Sequence, residues 1–185
     1  YQMELLGVKV HLGVTVTPEM VLEQNPDAVV VATGAALYKP EFPGADGDNV
    51  FEMRQVLQDE VEVGQNVIVA DLQRHIYGLD TADFLAERGK KVELLTEMIS
   101  AGQDVDYSTL EALYPRLYTN GVVITPHTRI KEIRGTTVIV SNTLTNAERQ
   151  IEGVDSVVVC HEGMPEDSLY RGLKGKVKEI YEVGQ

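Results

Sequence analysis

The sequence predicts an α/β fold built on a parallel sheet. Short β-branched runs alternate along the chain with stretches that have helical spacing. The runs Ala28–Ala32 and Val67–Ala70 are continuously apolar, which is typical of parallel strands buried on both faces. A helix over Gly78–Arg88 and a strand over Lys91–Thr96 follow the second run. Together they predict one right-handed strand–helix–strand unit.

The segment before residue 60 predicts short elements joined by turns. Thr17 is the expected N-cap of a helix that has Pro18 at its first position and ends near Gln24. Residues 39–49 are rich in Pro, Gly and Asp and predict an irregular connector, and residues 51–59 predict a helix. The first two β-branched runs predict strands over Val8–Val10 and Val14–Val16.

The segment after residue 100 predicts a helix, an antiparallel meander and further strands. Asp106 is the expected N-cap of a helix that ends near Tyr118, and Pro115 should kink or split this helix. Residues 128–133 and 136–140 predict a hairpin, to which a strand around Ile151 adds a third member. Residues 122–125, 157–160 and 180–183 predict the remaining strands.

Composition excludes several classes of function. The 29 acidic and 16 basic residues give a formal net charge of −13, so a nucleic-acid partner is not expected. No apolar run approaches the ~20 residues of a membrane helix, and no signal peptide is visible, so we expect a cytoplasmic protein without a membrane partner. Cys160 is the only cysteine and the four histidines show no metal spacing, so we assign no disulfide, no iron–sulfur cluster, no metal ligands and no catalytic residues.

The loop between Ala70 and Gly78 lies where a dinucleotide-binding unit carries G-x-G-x-x-G. The last glycine, Gly78, is kept, and it preserves the close contact between helix and strand. The two glycines nearest the phosphates are absent. Asp71 would repel a pyrophosphate, whereas Arg74 and His75 could attract it. The candidate site in this unit therefore comprises Ala70, Arg74, His75 and Gly78.

Glu97 completes this candidate site on the next strand. It follows the strand Lys91–Thr96, at the place where an acidic residue could bind a ribose. The alternative interpretation is that Glu97 is a solvated loop residue. The sequence leaves open whether the unit binds a nucleotide or is a retained scaffold that packs and binds nothing.

The order of these signals resembles flavoprotein reductases in which one dinucleotide domain is inserted into another. D-A-V-V-V-A-T-G (Asp27–Gly34) and P-x-x-P-G (Pro40–Gly44) precede the strand–helix–strand unit, as in those proteins. The chain is more closely similar to the C-terminal half of the NADH:flavin oxidoreductases related to trimethylamine dehydrogenase, histamine dehydrogenase and 2,4-dienoyl-CoA reductase. The segments that carry this resemblance are V-G-Q-N-V-I-V-A-D (63–71), H-I-Y-G (75–78), L-A-E-R-G-K-K-V-E-L-L-T (85–96) and D-S-V-V-V (155–159).

The resemblance implies two interleaved domains. Residues 64–165 would form a Rossmann-like NAD(P)-type domain with a parallel sheet and a small antiparallel meander. Residues 1–60, which include the connector, and a return strand over 177–185 would belong to an incomplete FAD/ADP-type domain. The glycine-rich loop of that outer domain should precede Tyr1. Its nucleotide would approach Ala32, Thr33 and Gly34, and a G-D pair would correspond to Gly184 and Gln185, where the acid is missing.

The resemblance also implies an activity that this chain does not perform alone. Members of the group carry FMN and a 4Fe–4S cluster in an N-terminal barrel, which would be the partner of this chain; a homo-oligomer is also left open. NAD(P), ADP or FAD would be the ligand of the nucleotide domains. The alternative is a vestigial structural module, or one that binds an adenine nucleotide. Cys160 either ends a core strand or is a reactive thiol beside His161, and the lack of a third orienting group favours the core position.

Overall fold

The computed structural model describes residues 2–36 and 38–184. Contacts divide the chain into two compact units. We call residues 2–36 and 164–184 the terminal unit, and residues 38–163 the central unit. The domain limits expected from the sequence, at residues 60, 64, 165 and 177, stay a prediction.

The elements of the described residues are numbered in chain order. The helices are α1 (Gln2–Leu5), α2 (Pro18–Glu23), α3 (Met53–Leu57), α4 (Tyr77–Glu87), α5 (Tyr107–Thr119) and α6 (Ser168–Leu173). The strands are β1 (Ala28–Val31), β2 (Ala35–Ala36), β3 (Val50–Glu52), β4 (Asn66–Asp71), β5 (Lys91–Thr96), β6 (Val123–Thr125), β7 (Thr128–Arg134), β8 (Thr137–Asn142), β9 (Glu148–Ile151), β10 (Ser156–Cys160), β11 (Met164–Pro165) and β12 (Glu179–Glu182). None of the helices in this described part of the chain is long and apolar enough to cross a bilayer.

The central unit is built on a five-stranded parallel sheet in the order β3-β10-β4-β5-β6. Alternate residues of β4 enter two different cores: Val67 and Val69 pack with α4 and α5, and Ile68 and Ala70 pack with the meander. Helices cover one face and a second sheet covers the other. This two-sided burial explains why the strands are continuously apolar in sequence.

The second sheet is the antiparallel meander β7-β8-β9 that the sequence predicts. The connector lies along it, because Ile133 N donates a hydrogen bond to Pro43 O at 2.9 Å. Gly44 follows with φ +82°, and a Cβ atom there would lie 2.2 Å from Ile133 O. Only glycine fits this approach. The connector ends in β3 and α3 rather than in the single helix expected over 51–59.

The terminal unit joins two distant segments of the chain. β1 and β12 pair in parallel, with Ala28 opposite Glu179, and β2 pairs antiparallel with β11. Thr17 caps α2 as predicted, since its Oγ1 accepts a hydrogen bond from Met20 N at 3.4 Å. Val31 is the one residue of β1 that is fully buried, so the expectation of burial on both faces was wrong within the described residues.

The two strands expected before residue 17 were a wrong prediction. Val8–Val10 and Val14–Val16 join no sheet within the described residues, and their valines are about half exposed. A β-branched run forms a strand only where a neighbouring strand accepts its hydrogen bonds. Helix α5 continues through Pro115, with Leu113 and Leu117 buried in the core on either side, so the expected split is absent and the alternative of a kink stays a prediction. Asp106 caps this helix as expected, with Oδ1 accepting from Thr109 N at 3.0 Å.

Candidate nucleotide site

The segment 72–77 runs from the end of β4 to Tyr77, the first residue of α4; we call it the 72–77 loop. Leu72 N donates to Cys160 O at 3.2 Å, and Asp104 N donates to Arg74 O at 2.9 Å, so neighbouring segments tie the loop at two points. Ile76 precedes α4 and makes no side-chain hydrogen bond to cap it. The first turn of α4 thus keeps backbone N–H groups of the kind that bind anions at helix N termini.

Asp71 packs against Gly78 inside this strand-to-helix bend. A Cβ atom at Gly78 would lie 2.6 Å from both Cβ and Cγ of Asp71. Asp71 is only 2% exposed, so its carboxyl lies beneath the loop instead of pointing into solvent. In a dinucleotide fold, glycines keep this bend free for the pyrophosphate. Here the Asp71 side chain fills the close approach between strand and helix.

Burial also changes the chemistry of Asp71. It raises the pKa of this carboxyl from 3.8 to about 7, against the opposing effect of its hydrogen bonds. Oδ1 accepts a long hydrogen bond from Gln73 N at 3.4 Å, the nearby Thr96 side chain also opposes the rise in pKa, and Oδ2 makes no hydrogen bond of normal geometry within the described residues. Near neutral pH, Asp71 is therefore divided between its charged and neutral forms. It is not the open carboxylate that the sequence suggested.

Cys160 lies opposite Asp71 on the adjacent strand β10. It is completely buried, and burial raises the pKa of its thiol to about 12. The thiolate, the reactive form of cysteine, is therefore not populated near neutral pH. Cys160 ends a core strand, which is the alternative that the sequence favoured.

A second turn faces the 72–77 loop across the edge of the sheet. It comprises residues 161–163, which follow β10, and β10 lies next to β4. His75 Nε2 lies 3.3 Å from Glu162 Oε1, so this pair joins the two turns. Arg54 Nη2 donates to Glu162 O at 2.6 Å and holds the second turn from the side of α3. We call the space between residues 72–77 and 161–163 the edge crevice.

The side chain of His161 stabilises the second turn. Its Nδ1 accepts a hydrogen bond from Gly163 N at 3.0 Å, and its ring stacks on Tyr38 with 4.0 Å between centroids. Burial lowers the pKa of His161. Because Nδ1 accepts, the neutral imidazole carries its proton on Nε2. The stacked, neutral ring supports the backbone that presents Glu162 to His75.

The other predicted residues of the central unit differ in their accessibility. Ala70 is buried within the sheet, so only its backbone could face a ligand. Arg74 is exposed on the loop, and Glu97 is half-buried directly after β5. Because β5 adjoins β4 in a parallel sheet, Ala70, Arg74, His75, Gly78 and Glu97 share one carboxyl edge. Their roles as ligand-binding residues stay predictions.

The predicted residues of the terminal unit lie in a separate turn. Ala32, Thr33 and Gly34 are exposed, and Gly34 has φ +71° with no atom within 4 Å of a Cβ placed there. Thr33 Oγ1 donates to Glu166 O, and Glu166 N donates to Gly34 O at 3.0 Å. Gly184 is exposed at the end of the described chain, and Gln185, the expected position of the missing acid, lies outside the described residues.

Sequence reasoning missed the residues on the far side of the edge crevice. Glu162, Arg54 and Tyr38 are distant in sequence from the 72–77 loop, and no spacing motif joins them to it. The available signal was topological. The C-H-E-G segment ends a predicted parallel strand, and the carboxyl ends of neighbouring parallel strands meet at one edge.

The residues of the central unit do not fit a dinucleotide held by its pyrophosphate. The Asp71 side chain fills the bend at Gly78, and Glu162 already pairs with His75. A separate cavity of about 680 Å³ lies beside β3 and β10, but its charged lining consists of Glu41, Asp46, Glu52 and a single Lys39. Such a lining is unfavourable for a phosphate.

Residues 7–179 match the family described as pyridine nucleotide-disulphide oxidoreductase, a domain type that binds FAD and NAD(P). The N,N-dimethylglycine/sarcosine dehydrogenase of Chromohalobacter salexigens is 32% identical over 99% of this chain. The chain spans 28% of the length of that relative.

Two solved structures extend the comparison. A 2-naphthoyl-CoA reductase, in complex with 2-naphthoyl-CoA, superposes with a TM-score of 0.83 at 25% identity, over 99% of this chain and 27% of that one. Histamine dehydrogenase from Rhizobium sp. 4-9 has the same fold, with a TM-score of 0.80 at 21% identity over 95% of this chain and 30% of that one. These matches confirm the predicted fold class and the resemblance to the trimethylamine dehydrogenase and histamine dehydrogenase group.

Proposed function

This chain belongs to the pyridine nucleotide-disulphide oxidoreductase family, and from that premise we propose that it forms the nucleotide-domain region of a longer NADH:flavin oxidoreductase. FMN and an iron–sulfur cluster in the remainder of that enzyme would supply hydride and electron transfer. This chain would contribute its folded units and be inactive alone. A nucleotide of the outer domain, FAD or ADP, would approach the Thr33–Gly34 turn.

The single observation that carries this proposal is the interruption of the terminal unit. Its parallel pair β1–β12 joins residues 28–31 to residues 179–182, with the whole central unit between them in sequence. One nucleotide fold inserted into another is the arrangement that the resemblance implies. The 28% coverage of a dehydrogenase relative supports a longer parent in the same way.

The surface of the terminal unit supports a protein partner. Its exposed large apolar side chains include Leu6 at 78%, Leu12 at 87% and Val30 at 63% exposure. Where exposed apolar side chains lie together, they mark interfaces, and we propose that those of the terminal unit do so. We propose that the flavin barrel and the remaining part of the outer domain cover it.

A homo-oligomer is left open, nucleic acid and membrane are not proposed as partners, and the proposed setting is the cytoplasm.

Purification of this chain and of the longer gene product tests the proposal. We expect the longer protein to contain flavin and iron and to reduce a dye with NADH or an amine as electron donor. We expect this chain alone to contain neither cofactor and to show no turnover. Flavin-dependent turnover by this chain alone, or a full-length product without flavin, would contradict the proposal.

A second candidate function concerns the central unit alone. The contact between Asp71 and Gly78 favours a structural module that holds no dinucleotide. Calorimetric titration of this chain with NADH and NADPH tests this candidate. No heat at millimolar concentration is the expected result, and micromolar binding that His75→Ala abolishes would reject it.

A further inference from the structure

We propose that two carboxyl groups of the central unit, Asp71 and Glu162, take the places of ligand phosphates in the edge crevice, so that the crevice excludes nucleoside diphosphates until these acids are removed. The inference deepens the second candidate function, because it identifies what closes the unit. It also assigns Glu162 a role in ligand exclusion.

The edge crevice lies at the switch point of the sheet. From β4 the chain continues through α4 to β5 on one side, whereas β10 adds to β4 on the other side. Ligands of open α/β sheets bind at such a point, beyond the carboxyl ends of the strands. The two turns that bound the crevice, 72–77 and 161–163, follow the two strands that flank the switch.

Asp71 closes the inner end of the crevice. Its side chain occupies the bend next to the first turn of α4, where a Cβ on Gly78 would already be 2.9 Å from Oδ1. Oδ2 is buried and makes no hydrogen bond of normal geometry within the described residues. A buried carboxyl oxygen next to a helix N terminus lies where a phosphate oxygen would bind, and it carries a negative charge in the ionised form of Asp71. A diphosphate could not enter without displacing it.

Glu162 closes the outer end. Its carboxylate lies 3.3 Å from His75 Nε2, and the two side chains are 45% and 49% exposed, so a solvated anion can reach the same imidazole. The backbone of Glu162 is held by Arg54, through a 2.6 Å hydrogen bond to its carbonyl, and by the turn around His161. A phosphate that binds His75 must therefore compete with a carboxylate that is already in place.

The crevice places acidic groups beside its basic groups without a ligand. Arg74 and His75 supply the basic groups of the loop, and Asp71 and Glu162 supply two acids. The guanidinium of Arg54 donates one hydrogen bond to Glu162 O, and its Nε lies 4.0 Å from Glu52 Oε1. Removal of the two acids leaves a basic loop in front of an uncapped helix start. This combination suits a nucleoside diphosphate.

Titration calorimetry with ADP tests the proposal, with His75 as the marker of the crevice. We compare the unchanged chain with Glu162→Gln, Asp71→Gly and the double variant, and we repeat each titration with His75→Ala added. Only binding that His75→Ala abolishes is assigned to the crevice, since ADP bound elsewhere is insensitive to it. Glu111→Gln removes one exposed acid on α5 and is the matched control for net charge.

The expected result is no His75-dependent binding by the unchanged chain or by Glu111→Gln. Glu162→Gln should gain such binding, and the double variant should bind about tenfold more tightly again, because each removed carboxylate relieves repulsion at short range. His75-dependent binding by the unchanged chain would overturn the proposal. So would a folded double variant that gains none.

Two further measurements keep the outcome clear. Melting curves establish that each variant is folded; if Asp71→Gly is not, Glu162→Gln alone decides, because Glu162 is at the surface. The flavin and iron content of the longer gene product tests the proposed function separately, and we expect these substitutions to leave it unchanged.

Discussion

Asp71 couples the stability of the central unit to pH. Its pKa is about 7 in the folded chain, against about 3.9 for an unfolded aspartate. Because folding raises the pKa of this acid, its contribution to the free energy of unfolding is fully present at pH values below the unfolded pKa. This contribution is lost as pH rises through the folded value. The free energy of unfolding should therefore fall between about pH 4 and pH 7 by up to ~4 kcal/mol from this group.

Urea denaturation at several pH values, with Asp71→Asn as the comparison, checks this prediction. The variant has no titrating group at this position, so the difference in unfolding free energy between variant and wild type should grow in the variant's favour as the pH rises. Parallel pH curves for the two proteins would show that Asp71 does not titrate with a raised pKa.

Gly78 is the second residue with a specific expected outcome. A methyl group at this position would meet the Asp71 side chain at 2.6 Å, and such overpacking costs about 1–3 kcal/mol of stability. We expect Gly78→Ala to lower the urea midpoint in the wild-type background and to cost much less in an Asp71→Gly background, which lacks both the Cβ and the Cγ atom that the methyl group would meet. Equal losses in both backgrounds would mean that Asp71 is not the obstacle.

The sequence located the strand-to-helix bend but not the contacts inside it. Gly78 was identified as a close-contact glycine because helix–strand packing requires one at that spacing. Its contact partner is Asp71, whose burial was not predictable because burial of a charged side chain leaves no mark in a linear motif. Glu162 was missed since its pairing with His75 depends on the order of strands in the sheet.

Among the elements, α5 depends on two buried leucines. Leu117 is completely buried in the larger core of the central unit, and Leu→Ala changes at such sites cost about 2–5 kcal/mol. We expect Leu117→Ala to destabilise the chain by this amount in urea denaturation. Tyr107→Ala, on the same helix at a site that is 75% exposed, should change stability by less than about 0.5 kcal/mol. Similar losses for both would contradict the assigned burial.

Strands that have a neighbouring strand to pair with were predictable, and runs that lack one were not. The apolar runs of β4, β5 and β10 predicted parallel strands because both faces are covered by helices and meander. The equally β-branched runs at Val8–Val10 and Val14–Val16 form no strand within the described residues. Local composition reports a preference for extended backbone, but pairing decides whether a strand forms.

At the scale of the whole molecule, the family was predictable from a set of weak motifs, none of which is specific alone. The interleaved order of strands, connector and A-T-G turn carried the resemblance, and the match over residues 7–179 bears it out. Ligand binding was not predictable from the same set. The close contact between helix α4 and strand β4 requires a residue without a side chain only at Gly78. The fold can therefore accommodate an acid such as Asp71 in the bend.

The apolar surface of the terminal unit leads to opposite expectations for this chain and for the longer protein. Leu12 is 87% exposed here, so Leu12→Asp should reduce self-association of the isolated chain and leave its unfolding free energy within about 0.5 kcal/mol. In the longer gene product the same charge would have to be buried against the proposed partner domain. We expect it there to lower the melting temperature and the yield of flavin-loaded protein.

Leu144→Asp is the control for this last comparison. Leu144 is 70% exposed in the turn between β8 and β9 of the central unit, so its substitution adds the same charge to a surface that is not proposed as an interface. It should leave the longer protein unchanged in melting temperature and flavin content. If both variants behave alike in the longer protein, the apolar surface of the terminal unit is not a docking surface. A charge at Leu12 would then have no more effect than a charge at Leu144 in a solvated turn.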